Sequence, residues 1–278
     1  MEYKKLYMAP WVGSKFYIAS ELHPYIPNEY FNRWAEPFGG AGGMLMSKQR
    51  WADQEIWNDN HSEMFNLWYQ FKFNFDALCE ACGYDIKSRE VFDYYLNLVP
   101  ANDVERAARF LYLQNNSFGA KGHHYTPVGK QTETTERFKL IFERVKGVSI
   151  ENLDYADFIE RYKNFTSVKN SRRSFFFVDP PYPGIAQSQQ YTASFDHAKL
   201  AEIMRTVSDL WIETNADTPE IRELYKGYCI VPYKRANRIE NRKGKMKNQT
   251  YGEIIIANYD LHETYRKNTS GQQTKFNF

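Results

Sequence analysis

Residues 175–182, Phe-Phe-Phe-Val-Asp-Pro-Pro-Tyr, carry the strongest pattern in the chain. The apolar run 175–178 has the length and composition of a buried β-strand. Asp179 follows this run directly, and the two prolines after it lack backbone donors and have a fixed φ. In α/β sheets, ligand sites collect at the carboxyl ends of strands. The stretch therefore predicts a buried strand that ends in a site with a carboxylate, free carbonyl groups and the ring of Tyr182.

Strand-like and helix-like segments alternate on both sides of this stretch. Strands are predicted at 31–36, 55–58, 148–150, 175–178, 210–213, 228–231 and 254–257. Helices are predicted at 15–24, 42–50, from 61 to about 118, at 197–207 and from 219 onward. Asp196 and Thr218 are typical helix N-caps, and residues 119–133 are typical of a loop or hairpin. The alternation favours an α/β sheet, with the helical block inserted as a second domain.

Composition is that of an ordinary globular protein, and 278 residues suffice for a large core. The chain is 42% hydrophobic and 25% charged, with a mean hydropathy of −0.67. No apolar run approaches the roughly 18 residues of a membrane span. Residues 1–5 lead into no apolar segment of a secretory signal. We therefore expect a soluble protein of the cytoplasm.

The cysteines predict neither a disulfide framework nor a metal site. There are three of them, an odd number, and Cys79 and Cys82 form a single C-x-x-C pair. No second pair of cysteines or histidines lies nearby at the spacing of zinc ligands. We interpret both cysteines as helix residues and expect no metal.

Charge is unevenly distributed, although the net charge is only +2. Seven Lys or Arg residues between 234 and 247 stand against one acid, Glu240. Such a local excess is typical either of a loop that faces a polyanion or of a solvated surface loop. Aromatic residues make up 17% of the chain, which suits base stacking as well as core packing.

A second motif, Glu36-Pro-Phe-Gly-Gly-Ala-Gly-Gly43, follows the predicted strand 31–36. Glycines in such a turn let the backbone approach a ligand closely. The spacing matches neither the dinucleotide fingerprint nor a P-loop. Asp59 comes 20 residues after Gly39, at the end of the next strand, where an acid accepts hydrogen bonds from ribose hydroxyls in doubly wound folds. Together they favour an adenosine-type ligand that has no phosphate to bind.

In their order along the chain, these motifs resemble the Dam-like family of DNA N6-adenine methyltransferases. The matching segments are Trp11 to Lys15 (W-x-G-x-K), Glu36 to Gly43 (E-P-F-x-G-x-G), Asn58-Asp59 (N-D), Tyr155 to Asp157 (Y-A-D), Asp179 to Tyr182 (D-P-P-Y), Thr214 to Thr218 with Arg222 to Tyr225 (S-N-x-D-T…R-E-x-Y), and the strand Glu253 to Tyr259. The resemblance implies a Rossmann-like methyltransferase sheet at 1–60 and 136–278, with an inserted, mostly helical target-recognition domain at 61–135.

Site residues follow from the same resemblance, which implies S-adenosylmethionine as cofactor. The implied catalytic residues are Asp179, Pro180, Pro181 and Tyr182. The implied cofactor-binding residues are Trp11, Gly13, Lys15, Glu36, Pro37, Phe38, Gly39, Gly40, Asp59, Asp157, Phe158 and Asp179. The implied DNA-binding residues are Asn116, Lys121, His123, His124, Lys130, Lys234, Arg235, Arg238, Arg242, Lys243 and Lys245.

The segment 118–130 resembles the recognition hairpin of enzymes that methylate GATC, but it is several residues shorter. The missing part is where those enzymes carry base-reading residues, so the target sequence stays open. The resemblance implies double-stranded DNA as partner and makes a cognate restriction endonuclease a candidate second partner.

The predicted reaction is methyl transfer to the N6 amine of an adenine that is flipped out of the duplex. The Asp179 carboxylate and the Pro180 carbonyl would accept hydrogen bonds from the two amine hydrogens, and Tyr182 would stack on the base. Two alternatives remain open at this stage. One is a methyltransferase for RNA adenine, cytosine N4 or a protein amide; the other is a catalytically silent DNA-binding relative.

Overall fold

A seven-stranded sheet lies at the centre of the computed structural model, which describes residues 6–29, 31–83, 86–127, 135–164, 174–183, 195–233 and 252–270. The strands are β1 (Phe31–Glu36), β2 (Ala52–Asn58), β3 (Ser149–Glu151), β4 (Ser174–Val178), β5 (Leu210–Ala216), β6 (Cys229–Tyr233) and β7 (Glu253–Ala257). Their order is β3-β2-β1-β4-β5-β7-β6; β7 pairs antiparallel with both β5 and β6, and the other neighbouring strands pair in parallel.

Strand order reverses between β1 and β4, which pair in parallel with Trp34 opposite Phe175. From β1 the chain continues to β2 on one side of this junction, and from β4 to β5 on the other. The crossover segments therefore diverge and leave a crevice at the carboxyl ends of the two central strands. Such a crevice is where open α/β sheets bind their ligands.

β4 shows why the sheet is buried on both faces. All five of its residues are buried, and its side chains alternate between two separate cores. Phe175 and Phe177 enter the first core, while Phe176 and Val178 enter the second. This alternation is the period-2 geometry of a strand, and the apolar residues on both faces are typical of a parallel sheet covered by helices.

Helices cover both faces. They are α1 (Ala19–Leu22), α2 (Ser62–Phe73), α3 (Phe75–Cys82), α4 (Arg89–Asn97), α5 (Asp103–Asn116), α6 (Thr135–Val145), α7 (Tyr155–Tyr162), α8 (His197–Arg205), α9 (Pro219–Leu224) and α10 (Leu261–Ser270). The first core contains residues of α1, α2, α3, α5, α6 and α10, and the second contains residues of α7, α8 and α9. Within the described residues, no helix is long and apolar enough to cross a membrane.

The helical block α2–α5 is attached to the sheet rather than separated from it. Trp68 and Phe71 of α2 and Leu111 of α5 belong to the same core as the first face of the sheet. A smaller core, built on α4 and the outer face of α5, includes Phe92 and Tyr112. The division of the chain into a catalytic and a target-recognition domain stays a prediction.

Several local predictions are confirmed. Asp196 and Thr218 accept hydrogen bonds from the backbone N–H groups three residues on, so they are the N-caps of α8 and α9. Cys79 and Cys82 lie in α3, as predicted.

Two helix predictions were wrong. Residues 42–50 form one 3₁₀ turn, Leu45–Ser47, because Gly42 has a φ of +72° and the chain must soon enter β2. The predicted helix 15–24 is divided into two 3₁₀ turns around α1, and Pro24 lies in the last of them.

Candidate active site

Three carboxylates meet at the crevice because their strands are parallel neighbours. Glu36 ends β1, Asp59 directly follows β2, and Asp179 directly follows β4. Glu36 is buried, and burial raises its pKa to about 8, with repulsion from Asp179 adding to the shift. Trp34 Nε1 donates to Glu36 Oε1 at 2.8 Å, which partly opposes that shift. The crevice thus brings together carboxyl groups whose charged forms are disfavoured by burial and which a cationic partner would stabilise.

The glycine-rich loop after β1 is held by two tryptophan side chains. The Nε1 atoms of Trp57 and Trp68 both donate to the Gly40 carbonyl, at 3.2 and 3.0 Å. A Cβ at Gly39 would lie 2.1 Å from the Trp57 ring, so glycine is required there by close packing. At Gly42 the requirement is double, because φ is +72° and a Cβ would lie 2.6 Å from Trp68. The loop is therefore fixed before any ligand arrives.

Asp59 links this loop to the start of α2. Its Oδ2 accepts from the backbone N–H of Gly40 at 2.9 Å, and its Oδ1 accepts from that of His61 at 2.9 Å. Burial raises the Asp59 pKa to about 6, although both hydrogen bonds oppose the shift. Each carboxylate oxygen can accept a second bond. Asp59 can therefore position the loop and still accept hydroxyl groups of a ligand.

The segment that contains Trp11 and Gly13 connects the glycine-rich loop with the end of β4. The Met8 N–H donates to the Ala41 carbonyl at 2.8 Å, and a Cβ at Gly43 would lie 2.6 Å from the Phe16 backbone nitrogen. Gly13 has a φ of +82° with open space around its Cα. The segment thus packs tightly on the loop while Gly13 borders a space.

Lys15, on the same segment, reaches the Asp179 carboxylate. Its Nζ lies 2.5 Å from Asp179 Oδ1 and donates to the Gly13 carbonyl at 3.2 Å. Thr214, on β5, also donates to Asp179 Oδ1, at 2.7 Å. The Lys15 side chain is only 7% exposed and that of Asp179 is 16% exposed. The two donors fix one oxygen of a partly accessible carboxylate.

Tyr182 closes the other side of this pocket. Lys15 Nζ lies 4.7 Å from the centroid of the Tyr182 ring, and the Tyr182 hydroxyl donates to Glu253 Oε2 at 3.3 Å. Burial raises the Tyr182 pKa, so the phenol is neutral and can donate. Pro180 is buried, Pro181 is partly exposed, and no described residue donates to the Pro180 carbonyl. A carboxylate, a carbonyl and an aromatic ring are therefore brought together.

The remaining predicted cofactor residues lie around the ends of β1, β2 and β3. Pro37 and Phe38 follow Glu36, and Asn58 Nδ2 donates to both the Pro37 carbonyl and the Leu153 carbonyl, at 2.9 and 3.1 Å. These bonds tie the entry to α7 to the end of β2. The first turn of α7 then carries Asp157, which is exposed, and Phe158, which is fully buried in the second core.

The four described residues of the predicted DNA-binding set lie at the end of α5 and on the surface loop that follows it. In this loop Ser117 bridges to Tyr125, and the Phe118 N–H donates to the His124 carbonyl at 2.7 Å. The four are Asn116 at the end of α5, followed by Lys121, His123 and His124. The other seven residues lie outside the described residues: Lys130, Lys234, Arg235, Arg238, Arg242, Lys243 and Lys245.

Four residues of the site were not predicted from the sequence. Thr214 lies near the carboxyl end of β5, next to β4, and that position is a usable signal for a pocket residue. Glu253 reaches the pocket because antiparallel β7 begins at the edge where the parallel strands end. Trp57 and Trp68 hold the loop, and no feature of the sequence distinguishes them from core residues.

Comparison with known proteins is consistent with this geometry. The D12 class N6 adenine-specific DNA methyltransferase family matches residues 11–247. A type II methyltransferase, M.CviBI of Paramecium bursaria Chlorella virus NC1A, is 23% identical over 274 residues, which cover 90% of this chain and 98% of that protein.

Among solved structures, a conserved hypothetical protein of Streptococcus pyogenes aligns over 87% of this chain and 94% of its own, at 9% identity and a TM-score of 0.35. That likeness is too weak to support an argument.

The family match spans most of the chain and includes every motif from Trp11 to the basic segment that ends at Lys247. The sheet order, with its single antiparallel strand β7, is consistent with a methyltransferase fold. The prediction drawn from the sequence motifs is thereby confirmed at the level of family and reaction. The chain belongs to the D12 class N6 adenine-specific DNA methyltransferases, a family of enzymes that methylate adenine in DNA.

Proposed function

We propose that the protein transfers a methyl group from S-adenosylmethionine to the N6 amine of an adenine flipped out of double-stranded DNA. One observation carries the proposal. The carboxylate of Asp179 lies at the reversal point of the sheet, next to an aromatic ring and close to the Glu36 carboxyl group at the start of the glycine-rich loop. That arrangement offers acceptors for an amine beside a site suited to a cationic ligand.

The chemistry of the crevice fits S-adenosylmethionine. Glu36 and Asp59 supply oxygen acceptors for ammonium and hydroxyl groups, and a cationic ligand would stabilise the ionised forms that burial disfavours. Open space at Gly13 leaves room for a ligand beside the segment that borders the loop. We assign Asp157 to the cofactor adenine amine, as the family resemblance implies. When bound, the cofactor supplies an activated methyl group, so this chain needs no covalent nucleophile.

The pocket around Asp179 would orient the target amine. The open carboxylate oxygen, Oδ2, and the Pro180 carbonyl would accept hydrogen bonds from the two N6 hydrogens, so that the nitrogen lone pair leaves conjugation and points out of the ring plane. Once the nitrogen carries the methyl group, it would lose one of these two protons, with the Asp179 carboxylate beside it as the acceptor that passes the proton to solvent. Tyr182 would stack on the base, since burial and the bond to Glu253 hold its ring in place. Positioning of this kind supplies much of the rate in reactions that need no further activation.

DNA would contact the loop after α5 and the basic segment 234–247. Lys121 and His124 are exposed on that loop, and basic side chains neutralise phosphates. The block 61–135 would then act as the target-recognition domain. Because the viral relative is a type II methyltransferase, a cognate restriction endonuclease is the second partner that we propose. Both would act in the cytoplasm.

A direct test is methyl transfer from labelled S-adenosylmethionine to unmethylated genomic DNA, followed by mapping of the modified positions. We expect label on adenine N6 within one short sequence motif. Label on RNA or protein but not on DNA would refute the proposed substrate.

Substitution of the carboxylate tests the mechanism. We expect Asp179→Ala to lower methyl transfer by about 10³-fold or more, the scale seen when a preorganised polar contact to the reacting group is lost. Cofactor affinity, measured by calorimetry, should largely remain. Glu202→Gln, a change on the exposed face of α8, serves as control. An Asp179→Ala protein that keeps its activity would contradict the mechanism.

A further inference from the structure

Lys15 was assigned to the cofactor by resemblance, yet in the structure it contacts the proposed amine acceptor. Its ammonium lies 2.5 Å from Asp179 Oδ1, close enough for an ion pair with a direct hydrogen bond. Its remaining contacts are the Gly13 carbonyl at 3.2 Å and the face of the Tyr182 ring at 4.7 Å. All three partners line the proposed reaction pocket, so the role of Lys15 is tied to that pocket.

Asp179 lies in surroundings that disfavour its charge. Burial raises its pKa, and the Lys15 ammonium and the Thr214 hydroxyl oppose that shift. The charged or titratable groups that act on it come from several elements: Lys15, Glu36 of β1, Tyr182, Glu213 of β5 and Glu253 of β7. Lys15 is the single cation in this described set, and the groups that act on it are Asp179, Glu253 and the Tyr182 phenol.

The two oxygens of Asp179 have different surroundings. Lys15 and Thr214 both donate to Oδ1, and no described residue donates to Oδ2. The 16% exposure of the side chain shows that the carboxylate is partly open. A carboxylate held by two donors on one oxygen cannot rotate freely, so the other oxygen keeps a fixed direction.

We infer that Lys15 is a positioning residue of the reaction, which acts through Asp179: it holds the carboxylate ionised and fixes Oδ1, so that Oδ2 accepts the target amine. The inference rests on the proposed function of Asp179. Lys15 itself needs no contact with the target base or with the methyl donor. Burial lowers the Lys15 pKa, and the groups around it, Asp179 first among them with Tyr182 and Glu253, together raise it above its usual value.

The test is the pH dependence of methylation by Lys15→Met, which keeps most of the side-chain volume but removes the ammonium. Without the ammonium, the Asp179 pKa rises further, so the carboxylate is protonated over a wider acidic range. We expect the methylation rate of Lys15→Met near pH 7 to be about 10-fold or more below that of the wild type. The pH below which the rate declines should rise by at least about one pH unit, and the rate should partly recover at alkaline pH. Affinity for S-adenosylmethionine should stay within about 3-fold by calorimetry.

Lys48→Met is the matched control, because Lys48 is a half-buried lysine whose Nζ lies 4.0 Å from the centroid of the Trp51 ring, outside the pocket. It should leave both the rate and the pH profile unchanged. An equal loss of rate at every pH in Lys15→Met, or a loss of cofactor binding in place of a pH shift, would overturn the inference.

A double-mutant cycle keeps the test valid if Lys15→Met is less stable. In an Asp179→Asn background the side chain at position 179 is already neutral, so it has no charge for Lys15 to stabilise. The factor by which Lys15→Met lowers the methylation rate should therefore be about 10-fold smaller in that background than in the protein that keeps Asp179. Equal losses in both backgrounds would refute a role through Asp179. Failure of the proposed function is distinguishable, because Asp179→Ala would then retain activity. If only the inference fails, Asp179→Ala is inactive while Lys15→Met keeps the wild-type pH profile.

Discussion

Two ion pairs among the described residues lie in the interior, and they serve different purposes. Arg144 of α6 meets Glu55 of β2 in a two-pronged pair, with Nη1 2.8 Å from Oε2 and Nη2 2.8 Å from Oε1. Their side chains are 2% and 6% exposed. Lys15 meets Asp179 through a single oxygen, at the open edge of the sheet.

The surroundings of the first pair satisfy its polar groups. Arg144 also donates to the carbonyls of Lys48 and Leu45, and Glu55 Oε1 accepts the backbone N–H of Trp51 at 2.8 Å. Both carboxylate oxygens of Glu55 are thereby engaged. A buried pair with this geometry joins α6, β2 and the turn after the glycine-rich loop, and its role is structural.

The second pair is left incomplete. Asp179 Oδ2 receives no hydrogen bond from the described residues, and the side chain is partly exposed. The comparison teaches that a fully satisfied buried carboxylate stabilises a fold, while one with an open oxygen is available to a substrate. Three substitutions test that distinction.

The largest effect on stability should follow from breaking the structural pair. Arg144→Met leaves Glu55 buried without its cation, and we expect a loss of about 3–5 kcal/mol in the free energy of unfolding. Urea denaturation measures the loss, and methylation per folded molecule should change little. Lys226→Met removes an exposed pair with Glu223 and should cost about 1 kcal/mol or less. Similar losses in both variants would contradict the structural role.

A smaller effect is expected at Glu213, a buried carboxyl group that pairs with no cation among the described residues. It accepts hydrogen bonds from the Tyr225 hydroxyl and from Asn215 Nδ2, and burial raises its pKa from 4.5 to about 7. Since the folded state holds this proton more tightly than the unfolded state, stability falls as the pH rises from about 4.5 to about 7.

Glu213→Gln should remove that part of the pH dependence. The measured quantity is the free energy of unfolding of Glu213→Gln minus that of the wild type. We expect this difference to be larger at pH 8 than at pH 5 by on the order of 2–3 kcal/mol. Glu202→Gln, on the exposed face of α8, should leave the pH dependence as it is. If the stability of Glu213→Gln depends on pH in the same way as that of the wild type, the Glu213 carboxyl group does not cause this pH dependence.

The smallest effect is expected at Asp59, where each oxygen accepts one backbone N–H. Asp59→Asn should weaken the binding of S-adenosylmethionine about 10-fold, since an amide lacks one of the two acceptors. Because the Asp59 pKa is raised to about 6, wild-type affinity should increase from pH 5 to pH 7. Calorimetry measures both effects, with Asp53→Asn on the exposed face of β2 as control. Equal affinity in Asp59→Asn would refute the assignment.

Much of the fold could be predicted because it depends on local patterns. The run 175–178 lies in β4, and all seven predicted strands are present, several of them longer than predicted. Asp196 and Thr218 cap the helices that follow them. The predicted helix 42–50 failed for a tertiary reason: the glycine-rich loop must pack on Trp57 and Trp68, and the backbone needed for that contact is not helical.

The candidate site was predictable in part. Asp59 and Asp179 each follow a strand, so their place at one edge of a parallel sheet could be inferred. The partners of Asp179 could not be inferred in the same way. Thr214 and Lys15 reach it from distant parts of the chain, and motif spacing gives no distance between them.

The sequence by itself determined the type of fold, the family and the acids at the strand ends, because periodicity and motif order follow from local conformation and burial. The tertiary structure alone decided which side chains complete each acid. It paired Lys15 with Asp179 and Arg144 with Glu55, and it brought Glu253 to Tyr182 through the antiparallel direction of β7. Those contacts depend on strand order and chain crossing, which no local stretch of sequence encodes.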